Sequence, residues 1–377
     1  MDVHILSEPH QFYKRLLVCY RRVETDVLSL TQSYLQDMIR RARKRIFISS
    51  LYIGSSDREL ACIRILAVLR CDWPVNLQID ALHDSLRHNS QLELHLQLDL
   101  NRSTRPGASS TAQILLPLLR EYPNRVHVSL FRSPKLKGIM ARLVPPRFNE
   151  GWGTWHAKIY GVDDEVMISG CVRAHICVLC WPLILEFSAN LNNSYYTDRQ
   201  DRYIHFTSQP HLAQYCFSFL ESISTVSYKL LPTHSPKLDE AYHLQWPDRM
   251  THPHEFEAKA ESILSKFQSS FLSSSPTSAT SGSDVLVFPV IQGGQFNIRE
   301  EEQCLSMLFN HLAKMPASAS FKPSMDLTSG YFGLYKPYQD LILKSSINCR
   351  IIAASPKVKG ELVLFVMVFW PILHAAL

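Results

Sequence analysis

The stretch Trp155-His156-Ala157-Lys158-Ile159-Tyr160-Gly161-Val162-Asp163 sets a histidine, a lysine and an aspartate in the spacing H-x-K-x4-D. In an extended chain, residues two apart share a face, so His156 and Lys158 are expected side by side. An imidazole beside a fixed ammonium suits attack on phosphorus, because the cation offsets charge on the phosphoryl oxygens. The Gly161-Val162-Asp163 run reads as a tight turn that returns a carboxylate toward the pair. Val166-Met167-Ile168 opens a second apolar run, which gives the motif a strand–turn–strand setting.

Several elements must position these groups. A basic helix end (Arg40, Arg41, Arg43, Lys44, Arg45) runs into a buried strand at 46–51. Residues 92–100 alternate strictly, with Leu92, Leu94, Leu96, Leu98 and Leu100 on one face and Glu93, His95, Gln97 and Asp99 on the other. That pattern predicts a half-buried strand. Asn101, Arg102 and Arg105 then fall at or just beyond its carboxyl end, where α/β sheets tend to hold ligands. A helix is expected at 115–119 and a strand at 126–131, followed by a basic stretch with Lys135, Lys137, Arg142 and Arg147. The composition shifts after residue 231. A Ser/Thr-rich flexible loop at 273–283 precedes a strand at 285–290, a helix at 300–314 and a strand at 349–354. The expected architecture is thus α/β, a mixed sheet flanked by helices, with a first domain at 1–230 and a partial second domain at 231–357.

A chain of 377 residues can hold two ordinary domains. The formal charge of +5 suits an anionic membrane surface or anionic headgroups and is too small to argue for nucleic acid. Nine cysteines at irregular positions speak against a disulfide framework. Residues 1–17 lack both a long apolar run and the Arg- and Ser-rich character of a mitochondrial presequence.

The H-x-K-x4-D run resembles the phospholipase D superfamily, whose members carry two such motifs. Residues 47–54, the run Leu98-Asp99-Leu100-Asn101-Arg102-Ser103-Thr104-Arg105-Pro106-Gly107, residues 146–150 and residues 199–203 together resemble the mitochondrial-type CDP-diacylglycerol–glycerol-3-phosphate 3-phosphatidyltransferase family. The resemblance implies a phospholipase D-like sheet and an enzyme of cardiolipin biosynthesis. It would transfer a phosphatidyl group from CDP-diacylglycerol to the 1-hydroxyl of glycerol 3-phosphate, releasing CMP. It would work in the mitochondrion, at the inner membrane. His156 and Lys158 take the nucleophile and phosphate-clamp roles by resemblance, and Asp163 supports the motif. Asn190 contacts a phosphate oxygen, and Asn101, Arg102 and Arg105 bind substrate. No cofactor and no metal are called for. The other readings are a different phospholipase D-type phosphodiesterase, a cardiolipin synthase, or a non-catalytic lipid-binding remnant.

Three internal segments, 18–36, 61–78 and 171–188, interrupt the family pattern and are of near-equal length. Excising the third rejoins Gly170 to Ala189-Asn190, the Gly-x-Asn strand end of the superfamily. After Lys357 the pattern is lost in an apolar tail, 358–377. Six of the nine cysteines lie in the three internal segments. All four stretches read as translated introns, and no second H-x-K follows, so impaired activity is expected of the chain as written. The Cys171-x3-His175-x-Cys177-x2-Cys180 cluster has no standard zinc spacing. Spliced transcripts are expected to join codons 17 to 37, 60 to 79 and 170 to 189. RNA sequencing that finds only reads running through all three segments would contradict this.

Overall fold

The computed structural model describes residues 3–6, 38–53, 77–106, 110–139, 143, 153–170, 173–177, 202–233, 241–274, 287–314, 324–329, 335–345 and 347–353. The strands are β1 (Val3–Leu6), β2 (Arg45–Ser49), β3 (Glu93–Asp99), β4 (Val126–Phe131), β5 (Ile159–Val162), β6 (Glu165–Gly170) and β7 (Arg173–Cys177). They continue as β8 (Arg202–Phe206), β9 (Tyr228–Pro232), β10 (Tyr242–Gln245), β11 (Gln292–Gly293), β12 (Ile298–Arg299), β13 (Ser324–Ser329) and β14 (Asn348–Ala353). The helices are α1 (Leu77–His88), α2 (Leu100–Ser103), α3 (Thr111–Glu121), α4 (Pro210–Ser224), α5 (Glu257–Ser274), α6 (Glu300–Ala313) and α7 (Lys336–Lys344). The chain divides into two compact units, Met1–Gly170 with Phe187–Glu300, and Cys171–Glu186 with Glu301–Leu377. The described residues between 231 and 300, assigned to a second domain from sequence, fall in the first unit.

One mixed sheet organises the first unit, in the order β1-β8-β6-β5-β2-β3-β4-β9-β10. Strands β2, β3 and β4 run parallel. Strand β5 pairs antiparallel with β2 on one side and with β6 on the other. Leu94, Leu96 and Leu98 point into a core shared with Leu82 and Leu86 of α1 and Leu115, Leu116, Leu118 and Leu119 of α3. Burial of each such leucine contributes roughly 2 kcal/mol. The alternation of β3 predicts a wet opposite face, and here the structure differs. Gln97 and Asp99 are buried, because α4 and α5 close over that face with a second core that includes Phe47, Phe131, Trp155, Leu220 and Phe256. Gln97 Nε2 donates to Ser227 Oγ at 3.1 Å, and both Asp99 carboxylate oxygens accept backbone N–H groups.

Gly161 is not part of the turn read from sequence. It sits inside β5, opposite Phe47 of β2. A Cβ at 161 would meet the Phe47 ring carbons at 1.9 to 2.4 Å, so the absence of a side chain is what lets the ring lie across the strand. The turn itself is Asp163-Asp164, which links β5 to β6 with Val162 opposite Glu165. Asp163 holds a left-handed backbone, φ 51°, which aspartate tolerates better than most residues. The strand expected at 285–290 is also absent among the described residues: 287–290 is irregular, and Pro289 offers no N–H for a ladder.

In the second unit β13 pairs parallel with β14 and antiparallel with β7. Leu305, Phe309 and Leu312 of α6 bury against Met325 of β13. The 18–36 segment, the 358–377 tail and Asn190 lie outside the described residues, as do 61–76. Of the 171–188 segment, β7 is the part described.

Gly161→Ala is expected to destabilise the first unit by about 1–3 kcal/mol through overpacking against Phe47. Urea unfolding measures the loss, and pairing it with Phe47→Leu should recover part of it. An unchanged midpoint would show that the ring yields freely.

Candidate active site

The parallel strands β2 and β3 end at Ser49 and Asp99, and these two buried polar residues hold the histidine segment. Residues 153–158 approach β5 without regular secondary structure before the strand begins at Ile159. The Trp155 backbone N–H donates to Asp99 Oδ2 at 3.0 Å, and its indole Nε1–H donates to Ser49 Oγ at 2.8 Å. Ser49 Oγ–H in turn donates to the Ala157 carbonyl at 2.8 Å. The Trp155 ring stacks on Phe219 of α4, with centroids 5.9 Å apart. The chain on both sides of His156 is therefore fixed by the ends of two strands and by a packed aromatic.

The two motif side chains take opposite environments. His156 is exposed. Lys158 is 1 % exposed, and its ammonium donates to the His156 carbonyl at 2.6 Å. His156 is thus exposed while the Lys158 ammonium is buried against its backbone carbonyl.

Asp99 joins this segment to the next group of expected residues. Its Oδ1 accepts the Arg102 backbone N–H at 3.0 Å, capping the short helix α2. Asn101, Arg102 and Arg105 are half-buried. The Arg102 guanidinium lies 5.0 Å from the centroid of the Tyr52 ring. One carboxylate thus anchors both the H-x-K segment and the Asn101–Arg102 turn at the same end of the sheet, which strand alternation alone did not reveal. The signal was present as Asp-x-x-Arg directly after the alternating leucines, an N-cap pattern.

Asp163 goes elsewhere. The expected return of its carboxylate toward His156 and Lys158 does not occur, because β5 runs straight from Lys158 and puts Asp163 roughly 16 Å away at its far end. There Asp163 Oδ2 accepts the Arg43 N–H at 2.8 Å. Its Oδ1 accepts those of Lys44 at 2.8 Å and Arg45 at 3.0 Å. It fastens the entry of β2. Beside it, Glu165 of β6 accepts from His205 Nε2–H at 3.2 Å and from Arg41 at 2.9 Å. The His205 hydrogen bond, aided by Arg41, holds the Glu165 carboxyl below the usual range against the opposing effect of burial.

Two predictions follow from this far end. Asp163→Ala should cost about 2–3 kcal/mol through three lost charge-assisted bonds, read by chemical denaturation, with Asp163→Asn milder; equal stability of all three proteins would contradict the capping role. The depressed Glu165 pKa means its contribution is complete above the unfolded-state value and is lost as pH falls through the folded one. Glu165→Gln should therefore cost about 1 kcal/mol at neutral pH and progressively less in acid. A gap that stays constant into acid would argue against it.

No family model matches the chain. The CDP-diacylglycerol–glycerol-3-phosphate 3-phosphatidyltransferase of Schizosaccharomyces pombe is 30% identical over 405 residues, covering 95% of this chain and 68% of that protein. The Gallus gallus protein of that name, described as mitochondrial, is 29% identical over 392 residues, with 95% of this chain and 58% of the relative covered. Among solved structures, a phosphatidylserine synthase of Haemophilus influenzae overlaps with a TM-score of 0.47 at 16% identity, covering 93% of this chain and 61% of that one. That overlap is loose, and the relationship rests on the sequence relatives.

Proposed function

This chain belongs to the CDP-diacylglycerol–glycerol-3-phosphate 3-phosphatidyltransferase family, and we propose that His156 and Lys158 supply one half of the phosphatidyl transfer for which that family is named. The observation that carries the reading is the exposed His156 imidazole, whose own carbonyl holds the buried Lys158 ammonium at 2.6 Å. A phosphoryl group meeting the imidazole would have a fixed, desolvated cation close by, where its charge acts most strongly. Arg102 and Arg105 stand at the same sheet end and suit the phosphates of CDP-diacylglycerol or of glycerol 3-phosphate. Asn101 and Asn190 complete the proposed phosphate contacts. Asp163 supports the motif through the fold, by fixing the hairpin that begins with β5.

H-x-K occurs once in these 377 residues, and by the family resemblance a second motif's imidazole protonates the departing CMP. The polypeptide assayed alone is expected to transfer about 10²- to 10⁴-fold more slowly than a two-motif relative, the typical contribution of general acid catalysis. CMP release from CDP-diacylglycerol with glycerol 3-phosphate measures this, and His156→Ala should abolish the remaining transfer. Activity within tenfold of a relative, or activity indifferent to His156→Ala, would contradict the assignment. Phosphatidic acid as the main product would favour a phosphodiesterase instead.

The membrane face is proposed from the loop after β4. That loop leaves β4 after Phe131, which pairs with Asp99. It exposes Ile139 and Leu143 at 73% and 71%, beside exposed Lys135 and Lys137. Apolar side chains among cations suit an anionic lipid surface, and the lipid substrate would then arrive next to the site. Among the described residues, no helix is long and apolar enough to cross a membrane. Residence in the mitochondrion, at the inner membrane, completes the proposal, and the name of the Gallus gallus relative supports the organelle. Nucleic acid has no part in it. Ile139→Glu with Leu143→Glu should abolish flotation with anionic vesicles; undiminished flotation would place the lipid contact elsewhere.

A further inference from the structure

We propose that Glu93, His95 and His127 form a binding site for one divalent transition-metal ion of the zinc class, at the end of the sheet opposite the histidine segment. The register creates it. His95 of β3 stands directly opposite His127 of the parallel strand β4. Glu93, two residues earlier on β3, projects from the same face. One donor atom from each of the three residues lies within 4.8 Å of the others. The Glu93 Oε2–His95 Nε2 pair is already at 3.3 Å, close to the roughly 3.4 Å edge of a tetrahedron with zinc–ligand bonds of about 2.1 Å. A small turn of the His127 side chain brings in the third ligand. Two imidazoles and a carboxylate are donors of the right softness for zinc or cobalt. Glu93 and His127 are exposed, so the fourth position opens to water.

The His95 ring packs edge-on against Phe217 of α4, with centroids 4.9 Å apart, which holds it in place beside Glu93. Arg45, from β2, is the cation that opposes a bound dication. Its guanidinium is engaged over the Phe217 ring at 4.4 Å and donates to Gln214 at 2.8 Å. Glu221 of α4, close enough to Glu93 to feel its charge, adds a second carboxylate to offset Arg45. His95 is four residues from Asp99 on one strand, roughly 13 Å. The ion would therefore not touch the reacting phosphate. Its effect is to clamp β3 to β4.

The test is cobalt titration of the metal-stripped 377-residue chain, with zinc as competitor and thermal unfolding in parallel. One cobalt ion should bind with the spectrum of nitrogen and oxygen ligands and no thiolate charge-transfer band, and zinc should displace it and raise Tm. His127→Ala and Glu93→Gln, both at exposed positions, should each weaken binding by about tenfold or more and remove the zinc-dependent rise in Tm. Replacement of Cys171, Cys177 and Cys180 by serine should leave binding intact. Unchanged cobalt affinity in His127→Ala overturns the proposal, as does a thiolate band that disappears with the three cysteines.

Discussion

The buried carboxylate of Asp99 is the constraint around which the candidate site is arranged. A carboxylate at 1 % exposure is costly unless its oxygens are bonded. Its two oxygens take backbone N–H groups from two different parts of the chain, Trp155 and Arg102. Each such charge-assisted bond contributes about 1.5–3 kcal/mol. The segment carrying His156 and the turn carrying Asn101 and Arg102 thus meet at the end of β3 because each satisfies half of one charge. Ser49 reinforces the junction from the neighbouring strand, bonding both the indole of Trp155 and the carbonyl of Ala157.

Strand β3 shows how one face can serve several ends. Its leucines build one core, and its other positions form a polar ladder beneath α4. Glu93 and His95 stand at one end, Gln97 is bonded to Ser227 in the middle, and Asp99 closes the other end. The proposed metal site and the proposed phosphoryl-transfer site share this strand but do not coincide, so the first would stiffen the sheet without entering the chemistry of the second.

Much of this was legible in the sequence where local periodicity decides the outcome. The five alternating leucines located β3, the apolar runs located β2 and β4, and the position after the alternation correctly put Asn101, Arg102 and Arg105 at the strand end. The features that local sequence does not reveal depend on partners distant in sequence. Nothing near residue 97 reveals that α4, over a hundred residues later, will cover the polar face. Gly161 before two acids has the local look of a turn, and only pairing with Phe47 shows that the glycine is there to admit a ring. Asp163 has the sequence spacing of a partner for His156, yet a strand of four residues separates them. Conversely, His95 and His127 are unremarkable until strand register sets them opposite each other.

The most direct test of the central claim is amide hydrogen exchange across residues 153–158 in Asp99→Asn, which keeps the shape of the side chain and removes its charge. If Asp99 holds the histidine segment, exchange at Trp155 should quicken by about tenfold or more, while the amides of β5 and β6 stay as protected as before. Unchanged protection at Trp155, or loss spread evenly through β5 and β6, would contradict the account.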